Sequence, residues 1–253
     1  MPRVSRTIIP RIRRSLRDRG LLGSVSRGVL WPLRLLREYL AAEALRAGQE
    51  QSDFDQAHGL DTDGEFHGWT YLSDLEIRSP NWIEGTDYTP IEPERFRLVV
   101  NALPIVFENF AFIDFGSGKG RALLLASEFP FNRIIGLEFS PELHQVAEEN
   151  IRRYPAELQK CRDIQSCNVD FVEFLLPSDP LVLFFFNPCH VRVLSEVVSR
   201  LSRSLLANPR PLYLAYVAPW PEHEELLRTA GFLKEIHRST EMNFVIYKSI
   251  AAV

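Results

Sequence analysis

The chain has 253 residues, of which 45% are hydrophobic and 25% charged, proportions that are ordinary for a soluble globular protein. No apolar run approaches the ~20 residues that a membrane-spanning helix needs. The three cysteines have no metal-ligand spacing, and so sparse and odd a set indicates a reducing compartment and excludes a disulfide framework. We therefore expect a cytoplasmic protein.

The net charge of −4 is unevenly distributed along the chain. Residues 1–46 hold eleven Arg and three acids, a net charge of +8, so the remainder carries −12. This basic arm is consistent with two short amphipathic helices, broken near residues 20–23 and at Pro32. Its basic face could lie on an anionic membrane surface, which would make the protein peripheral at a membrane, or on nucleic acid. The alternatives are an organelle transit peptide and a solvated face whose apolar side docks on the main domain.

Residues 47–80 are polar and contain several acids, and we interpret them as a linker or lid. The Asp-x-Asp-Gly sequence at 61–64 resembles part of a calcium loop but lacks the remaining ligands, so it is read as a turn and no metal is expected. Residues 1–80 then form a basic helical N-terminal extension with its linker, and residues 81–253 form a separate domain.

An apolar strand predicted at 111–115 begins the most informative stretch, and Asp114 is its one polar residue. Three glycines follow at alternate positions, Gly116, Gly118 and Gly120. The pattern then predicts a helix over 119–128 and a second strand over 133–138 that ends on Glu138. Loop amides at the end of a parallel strand bind ligands, and an acid on the next strand can accept both hydrogen bonds of a ribose diol. The stretch therefore suits an adenosine-bearing cofactor, and a glycine-rich turn in some other α/β fold is the alternative.

The remaining elements alternate between strand and helix until the last two. The predicted strands lie near 163–169, 181–186, 211–217, 232–238 and 242–249. The predicted helices are 92–103, 141–154, 171–176, 191–206 and 221–230. This order predicts an α/β fold with seven strands, whose last two form a hairpin.

The spacing Asp-x-Gly-x-Gly-x-Gly from Asp114 to Gly120 resembles motif I of the class I S-adenosylmethionine-dependent methyltransferases. The resemblance covers roughly residues 88–250. It implies a Rossmann-like sheet of six parallel strands and one antiparallel strand, with helices on both faces, and S-adenosyl-L-methionine as the cofactor. Tyr88, in an aromatic segment before the first core strand, resembles the Tyr-containing loop of the non-SET lysine methyltransferases. A packed connection is the alternative for this segment.

The resemblance assigns a set of cofactor-binding residues. Glu138 would hold the ribose, Asp170 and Phe171 the adenine, and Tyr88 and Thr89 the methionine carboxylate. Asp170 could instead cap the helix that follows it. The full implied set is Tyr88, Thr89, Asp114, Gly116, Ser117, Gly118, Gly120, Glu138, Phe139, Asp170, Phe171 and Asn187.

Asn187-Pro188-Cys189-His190 ends the fourth predicted strand and resembles the Asn-Pro-Pro-aromatic motif of amino-group methyltransferases. The resemblance implies that Asn187 and the carbonyls after it accept hydrogen bonds from a target nitrogen, and that Asn187, Pro188 and His190 are the catalytic residues. His190 stands where the motif has an aromatic residue, and it could take a proton instead. Asn187 as a plain turn residue and His190 as a helix-start residue are the alternative.

These features support three hypotheses about function. The first is a methyltransferase that acts on a nitrogen, with a protein lysine as the leading acceptor. The second is an NAD-dependent oxidoreductase on a similar sheet, against which Arg121 after the third glycine and the terminal hairpin argue. The third is a non-catalytic protein whose basic arm binds RNA or a membrane.

Overall fold

The computed structural model describes residues 49–64 and 70–250. Residues 1–46, for which the sequence predicts basic helices, lie outside the described part. Within the described part, no helix is both long enough and apolar enough to cross a bilayer.

Seven strands form one sheet in the order β3-β2-β1-β4-β5-β7-β6. In chain order they are β1 Ala111–Phe115, β2 Arg133–Glu138, β3 Ile164–Asn168, β4 Leu181–Phe186, β5 Leu212–Val217, β6 Leu233–Ser239 and β7 Phe244–Ser249. Only β7 runs antiparallel to its neighbours β5 and β6. The predicted sheet of six parallel strands and one antiparallel strand is therefore confirmed.

Six α-helices accompany the sheet in the described residues. They are α1 Gln49–His58, α2 Pro93–Asn101, α3 Arg121–Ser127, α4 Pro141–Arg153, α5 Val191–Ala207 and α6 Pro221–Thr229. Helices α2 and α3 pack on one face of the sheet and α5 and α6 on the other. Helix α4 begins at Pro141 after the N-cap Ser140, whose hydroxyl accepts a hydrogen bond from Leu143 N.

One local prediction is wrong. The expected helix at 171–176 is only a turn over 171–173, in which Asp170 accepts from Glu173 N through its carbonyl and from Val172 N through its carboxylate. Pro177 disfavours helical angles for the residue before it, so the turn does not continue as a helix. Helix α3 has no outer face: all seven of its residues are buried, because it lies between the sheet, α2 and α4. The segment interpreted as a linker or lid contains α1.

The strand order reverses between β1 and β4, which both end at the same edge of the sheet. Open α/β sheets bind ligands in the crevice at such a point. The loop of residues 116–120 leaves β1 there, and the turn of residues 187–190 leaves β4 beside it. The topology therefore brings together the two motifs that the sequence singles out.

Candidate functional site

The glycine loop, residues 116–120, folds back over β2. Gly116 N and Ser117 N both donate to Leu137 O, at 2.9 and 3.1 Å. Gly116, Gly118 and Gly120 all have left-handed backbone angles, with φ of 83°, 53° and 88°. Residues with a Cβ rarely adopt these angles, so the loop's path depends on its glycines.

A side chain at position 118 would also have no room, because the Tyr88 ring lies directly against Gly118. A Cβ added at Gly118 would be 2.0 Å from Tyr88 Cε2. The Tyr88 hydroxyl donates to Thr62 O at 2.6 Å, and burial raises the pKa of this phenol. Tyr88 thus covers the glycine loop, and its hydroxyl is already used within the protein.

Glu138, at the end of β2, is directed at the same loop. Its Oε2 accepts a hydrogen bond from Gly118 N at 2.8 Å, and its Oε1 accepts one from Ser140 N at 2.8 Å. The carboxylate is only 3% exposed. A carboxylate has about four acceptor sites, so both oxygens can accept a further hydrogen bond while the two amides fix their orientation.

Asp114 and Glu138 form a buried acidic pair. Burial, and then the charge of Glu138, raise the pKa of Asp114 to about 8. Burial raises the pKa of Glu138 to about 7, although the N–H groups of Ser140 and Gly118 act in the opposite direction. Two carboxyls that resist ionisation at neutral pH are costly to keep in a protein interior, and such groups are concentrated at functional sites.

The turn after β4, residues 187–190, contacts the glycine loop. A Cβ added at Gly116 would be 3.0 Å from Pro188 Cβ. Asn187 has a φ of 46°, a strained conformation for a residue with a side chain. Its Nδ2 donates to Ala218 O, and its buried Oδ1 has no hydrogen-bond partner in the part of the chain that the structure describes. Asn187 therefore presents an unused acceptor at this edge of the sheet.

Cys189 and His190, the next two residues of the turn, pack against neighbouring parts of the protein. Burial raises the pKa of the Cys189 thiol to about 12, so this thiol is not a nucleophile at neutral pH. His190 is the N-cap of α5, and its ring centroid is 5.0 Å from that of Trp220.

Residues 70–91, which we name the cover, lie over these groups. Ser79 Oγ and Asn81 Nδ2 donate to Asp170 Oδ2 at 2.5 and 2.8 Å. Thr86 Oγ1 donates to Asn187 O, and Thr86 N donates to Pro188 O at 3.4 Å. The adenine acceptor and the turn carbonyls that the resemblance implies are therefore occupied by the cover.

The cover also closes on the turn as a short antiparallel pairing. His190 N donates to Glu84 O at 2.7 Å, so Gly85 and Cys189 lie opposite each other between two hydrogen bonds. Below the cover, Phe139 packs with Leu72, and Phe171 lies 5.5 Å from Phe115, ring centroid to ring centroid.

A cavity of about 30 Å³ remains under the cover, room for about one water molecule. It is lined by Tyr88, Thr89, Pro90, Ile91, Asp114, Gly116, Ser117, Arg121, Ala122, Phe184 and Phe186. A ligand the size of a nucleoside can enter only if the cover moves. Among the described residues, no three His, Cys, Asp or Glu side chains converge to hold a metal ion.

Sequence reasoning missed the partners of two cations, Lys119 in the glycine loop and Arg121 at the start of α3. Lys119 Nζ lies 2.7 Å from Asp61 Oδ1, and Arg121 Nη2 lies 2.6 Å from Asp63 Oδ1 and 3.4 Å from Asp55 Oδ1. The predicted turn at 61–64 thus docks on the loop. The available signal was complementary charge, since a run of acids precedes a motif that carries two cations.

No family model matches the chain, and no curated protein is similar to it. Solved structures with a similar fold include an RNA methyltransferase from Salinibacter ruber in complex with S-adenosyl-L-homocysteine, which is 16% identical, with 64% of this chain and 92% of that one covered and a TM-score of 0.42. Precorrin-6y C5,15-methyltransferase from Geobacter metallireducens GS-15 is 17% identical, with coverages of 63% and 88% and a TM-score of 0.46.

A third similar structure is the ribosomal protein L11 methylase from Lactobacillus delbrueckii subsp. bulgaricus. It is 14% identical, with 61% of this chain and 76% of that one covered and a TM-score of 0.42. Likenesses at this level of identity and TM-score do not establish a function.

The acidic pair generates a prediction about pH. Both pKa values are raised above those of the unfolded chain, so the folded protein binds more protons and its stability falls as pH rises from about 4 to about 8. Asp114→Asn should make this fall shallower by up to about 1.4 kcal/mol for each pH unit. Urea unfolding across this range measures the slope, with the exposed Glu157→Gln as control. An unchanged slope in Asp114→Asn would contradict the buried pair.

Proposed function

We propose that the chain is an S-adenosylmethionine-dependent methyltransferase that methylates a nitrogen atom. The observation that carries the proposal is the convergence of Asp114, the glycine loop and Glu138 at the ends of neighbouring strands. Glu138 is tied to Gly118 N at 2.8 Å and keeps acceptor capacity for a ribose diol. The left-handed glycine loop permits close approach of a ligand to its backbone.

The donor set fits an adenosyl amino acid. Glu138 would accept hydrogen bonds from the ribose hydroxyls, Asp114 would face the α-ammonium group, and Asp170 would accept from the adenine amine once Ser79 and Asn81 release it. Phe139 and the apolar side chains of the cover offer contact to the adenine ring. Binding therefore requires the cover to open and then to close over the ligand.

Bound S-adenosylmethionine would supply a methyl group on a sulfonium sulfur, and the chain's own contribution would be positioning. Asn187 Oδ1, which is buried and lacks a partner among the described residues, would accept a hydrogen bond from the target nitrogen. This contact would direct the nitrogen lone pair, provided that the amine arrives neutral. The strained backbone of Asn187 is consistent with such a role.

We propose a protein lysine as the acceptor to test first. Where the Asn-Pro-Pro-aromatic motif has its second proline and then an aromatic residue, this chain has Cys189 and then His190. The His190 ring already packs near Trp220, so the turn has no free ring on which a nucleobase could stack. The chain beyond residue 46 carries a charge of −12, which attracts cationic proteins and repels nucleic acid. Contact of residues 1–46 with an anionic membrane or nucleic acid stays a separate prediction.

Titration with S-adenosylhomocysteine tests the cofactor assignment. The wild-type protein should bind it by calorimetry, and NAD should not bind. Gly118→Val should abolish binding because its Cβ would collide with Tyr88, and Glu138→Ala should abolish it by removing the ribose acceptor. Gly231→Val is the matched control, since no atom lies within 4 Å of a Cβ there. Normal binding in both site variants would refute the assignment, and binding of NAD alone would favour an oxidoreductase.

Replacement of Asn187 by Ala tests the acceptor assignment. The variant should still bind S-adenosylhomocysteine, because Asp114, the glycine loop and Glu138 are unchanged, but transfer at least about tenfold less methyl, since positioning hydrogen bonds contribute about 1.4 kcal/mol or more to such steps. The assay uses labelled S-adenosylmethionine and a cell extract, and the label should appear in protein, on lysine. Label confined to RNA or to small molecules would overturn the lysine acceptor, and full activity of Asn187→Ala would overturn the role of Asn187.

A further inference from the structure

Two polar groups that line the cavity under the cover have atoms without a partner. Arg121 is 1% exposed and Ser117 is 4% exposed, and both line the cavity together with Asp114. Within residues 49–64 and 70–250, neither Arg121 Nη1 nor Ser117 Oγ has a hydrogen-bond partner. Leaving a buried guanidinium N–H unpaired is costly, so the pairing of these atoms with a ligand is favoured.

The rest of the Arg121 guanidinium is fixed by the turn that follows α1. Its Nε donates to Thr62 Oγ1 at 2.6 Å, and its Nη2 lies 2.6 Å from Asp63 Oδ1 and 3.4 Å from Asp55 Oδ1. Asp55 Oδ2 in turn accepts from the backbone N–H groups of Thr62 and Asp63, at 2.7 and 2.8 Å. The turn therefore uses every donor group of Arg121 except Nη1.

We propose that Arg121 Nη1 and Ser117 Oγ bind the α-carboxylate of the adenosyl amino acid, and that Asp55 and Asp63 are positioning residues for Arg121. The inference rests on the proposed function. One oxygen of the carboxylate would accept from each donor, and Asp114 on the same cavity would face the α-ammonium group. The Tyr88 hydroxyl, which the sequence favoured for the carboxylate, is bound to Thr62 O instead.

The local charges are consistent with a zwitterion as the ligand. Lys119 and Arg121 are matched by Asp55, Asp61 and Asp63, so the surroundings carry no excess of positive charge that would attract a simple anion. A ligand that carries both a carboxylate and an ammonium group adds no net charge. Directed hydrogen bonds from Arg121 and Ser117 then select the carboxylate end.

The test compares S-adenosylhomocysteine with 5′-methylthioadenosine, which shares the adenosine and the sulfur but lacks the amino-acid end. Ser117→Ala should weaken the binding of S-adenosylhomocysteine by up to about tenfold, and Arg121→Gln should weaken it by about tenfold to a hundredfold. The affinity for 5′-methylthioadenosine should change less than about twofold in both variants. Asp63→Ala should lower the affinity for S-adenosylhomocysteine relative to the affinity for 5′-methylthioadenosine. Asp63→Asn, which keeps an acceptor for Arg121 Nη2, should largely restore this ratio. Calorimetry of each variant gives both affinities, and their ratio does not depend on the folded fraction.

Lys119→Gln is the matched control, because Lys119 is a cation two residues before Arg121, is paired to the same turn, and does not line the cavity. It should leave the ratio of the two affinities unchanged. The inference would be overturned if the Arg121 and Ser117 variants lost affinity equally for both ligands, or lost affinity for neither. The proposed function would stay intact in both cases. Failure of the wild-type protein to bind either ligand would instead overturn the proposed function.

Discussion

The hydrogen bond from Gly118 N to Glu138 is the interaction on which the site depends. It joins the loop after β1 to the end of β2 at 2.8 Å, and the loop can reach Glu138 only because its glycines adopt left-handed angles. Burial of Glu138 and Asp114 side by side disfavours the ionised form of both carboxyls, and the pKa values of both are therefore raised. A fold that needed only stability would gain from apolar residues here, so the pair points to a ligand that interacts with both carboxyls.

The cover explains how so polar a site can be closed. Ser79 and Asn81 hold Asp170, Thr86 holds the carbonyls after β4, and Tyr88 lies on Gly118. The contacts of Ser79, Asn81 and Thr86 are hydrogen bonds, so ligand groups of similar chemistry can replace them one for one. The turn at 61–64 is held differently, by the buried guanidinium of Arg121 and by Lys119, and it would stay docked while the cover opens.

The sequence was most informative where neighbouring residues decide the structure. Strands β1, β2 and β4 lie at their predicted positions because continuous apolar runs that end in glycine, acid or Asn-Pro have few other solutions. The predicted helix at 171–176 is wrong because the segment is a single turn that ends before Pro177, which disfavours helical angles at the residue before it. The contacts that hold the Arg121 guanidinium were not predicted, since its partners lie 58 to 66 residues away and only the fold brings them together. The Asn187 oxygen, which lacks a partner among the described residues, likewise depends on Ala218 accepting from the other end of the amide.

A reversible lock on the cover tests most directly that the pocket beneath it is the ligand site. Gly85 and Cys189 form a pair without mutual hydrogen bonds, for which a Cα separation near 4.5 Å is usual. Gly85→Cys can therefore form a disulfide with Cys189 once the ends of the Leu72 and Phe139 side chains, 2.8 and 3.0 Å from a Cβ at Gly85, shift to make room. We predict that the reduced variant binds S-adenosylhomocysteine as Gly85→Ser does, and that the oxidised variant does not bind it. Gly85→Cys with Cys189→Ser should bind under both conditions. Equal binding by the oxidised and reduced forms of the locked variant would contradict the account.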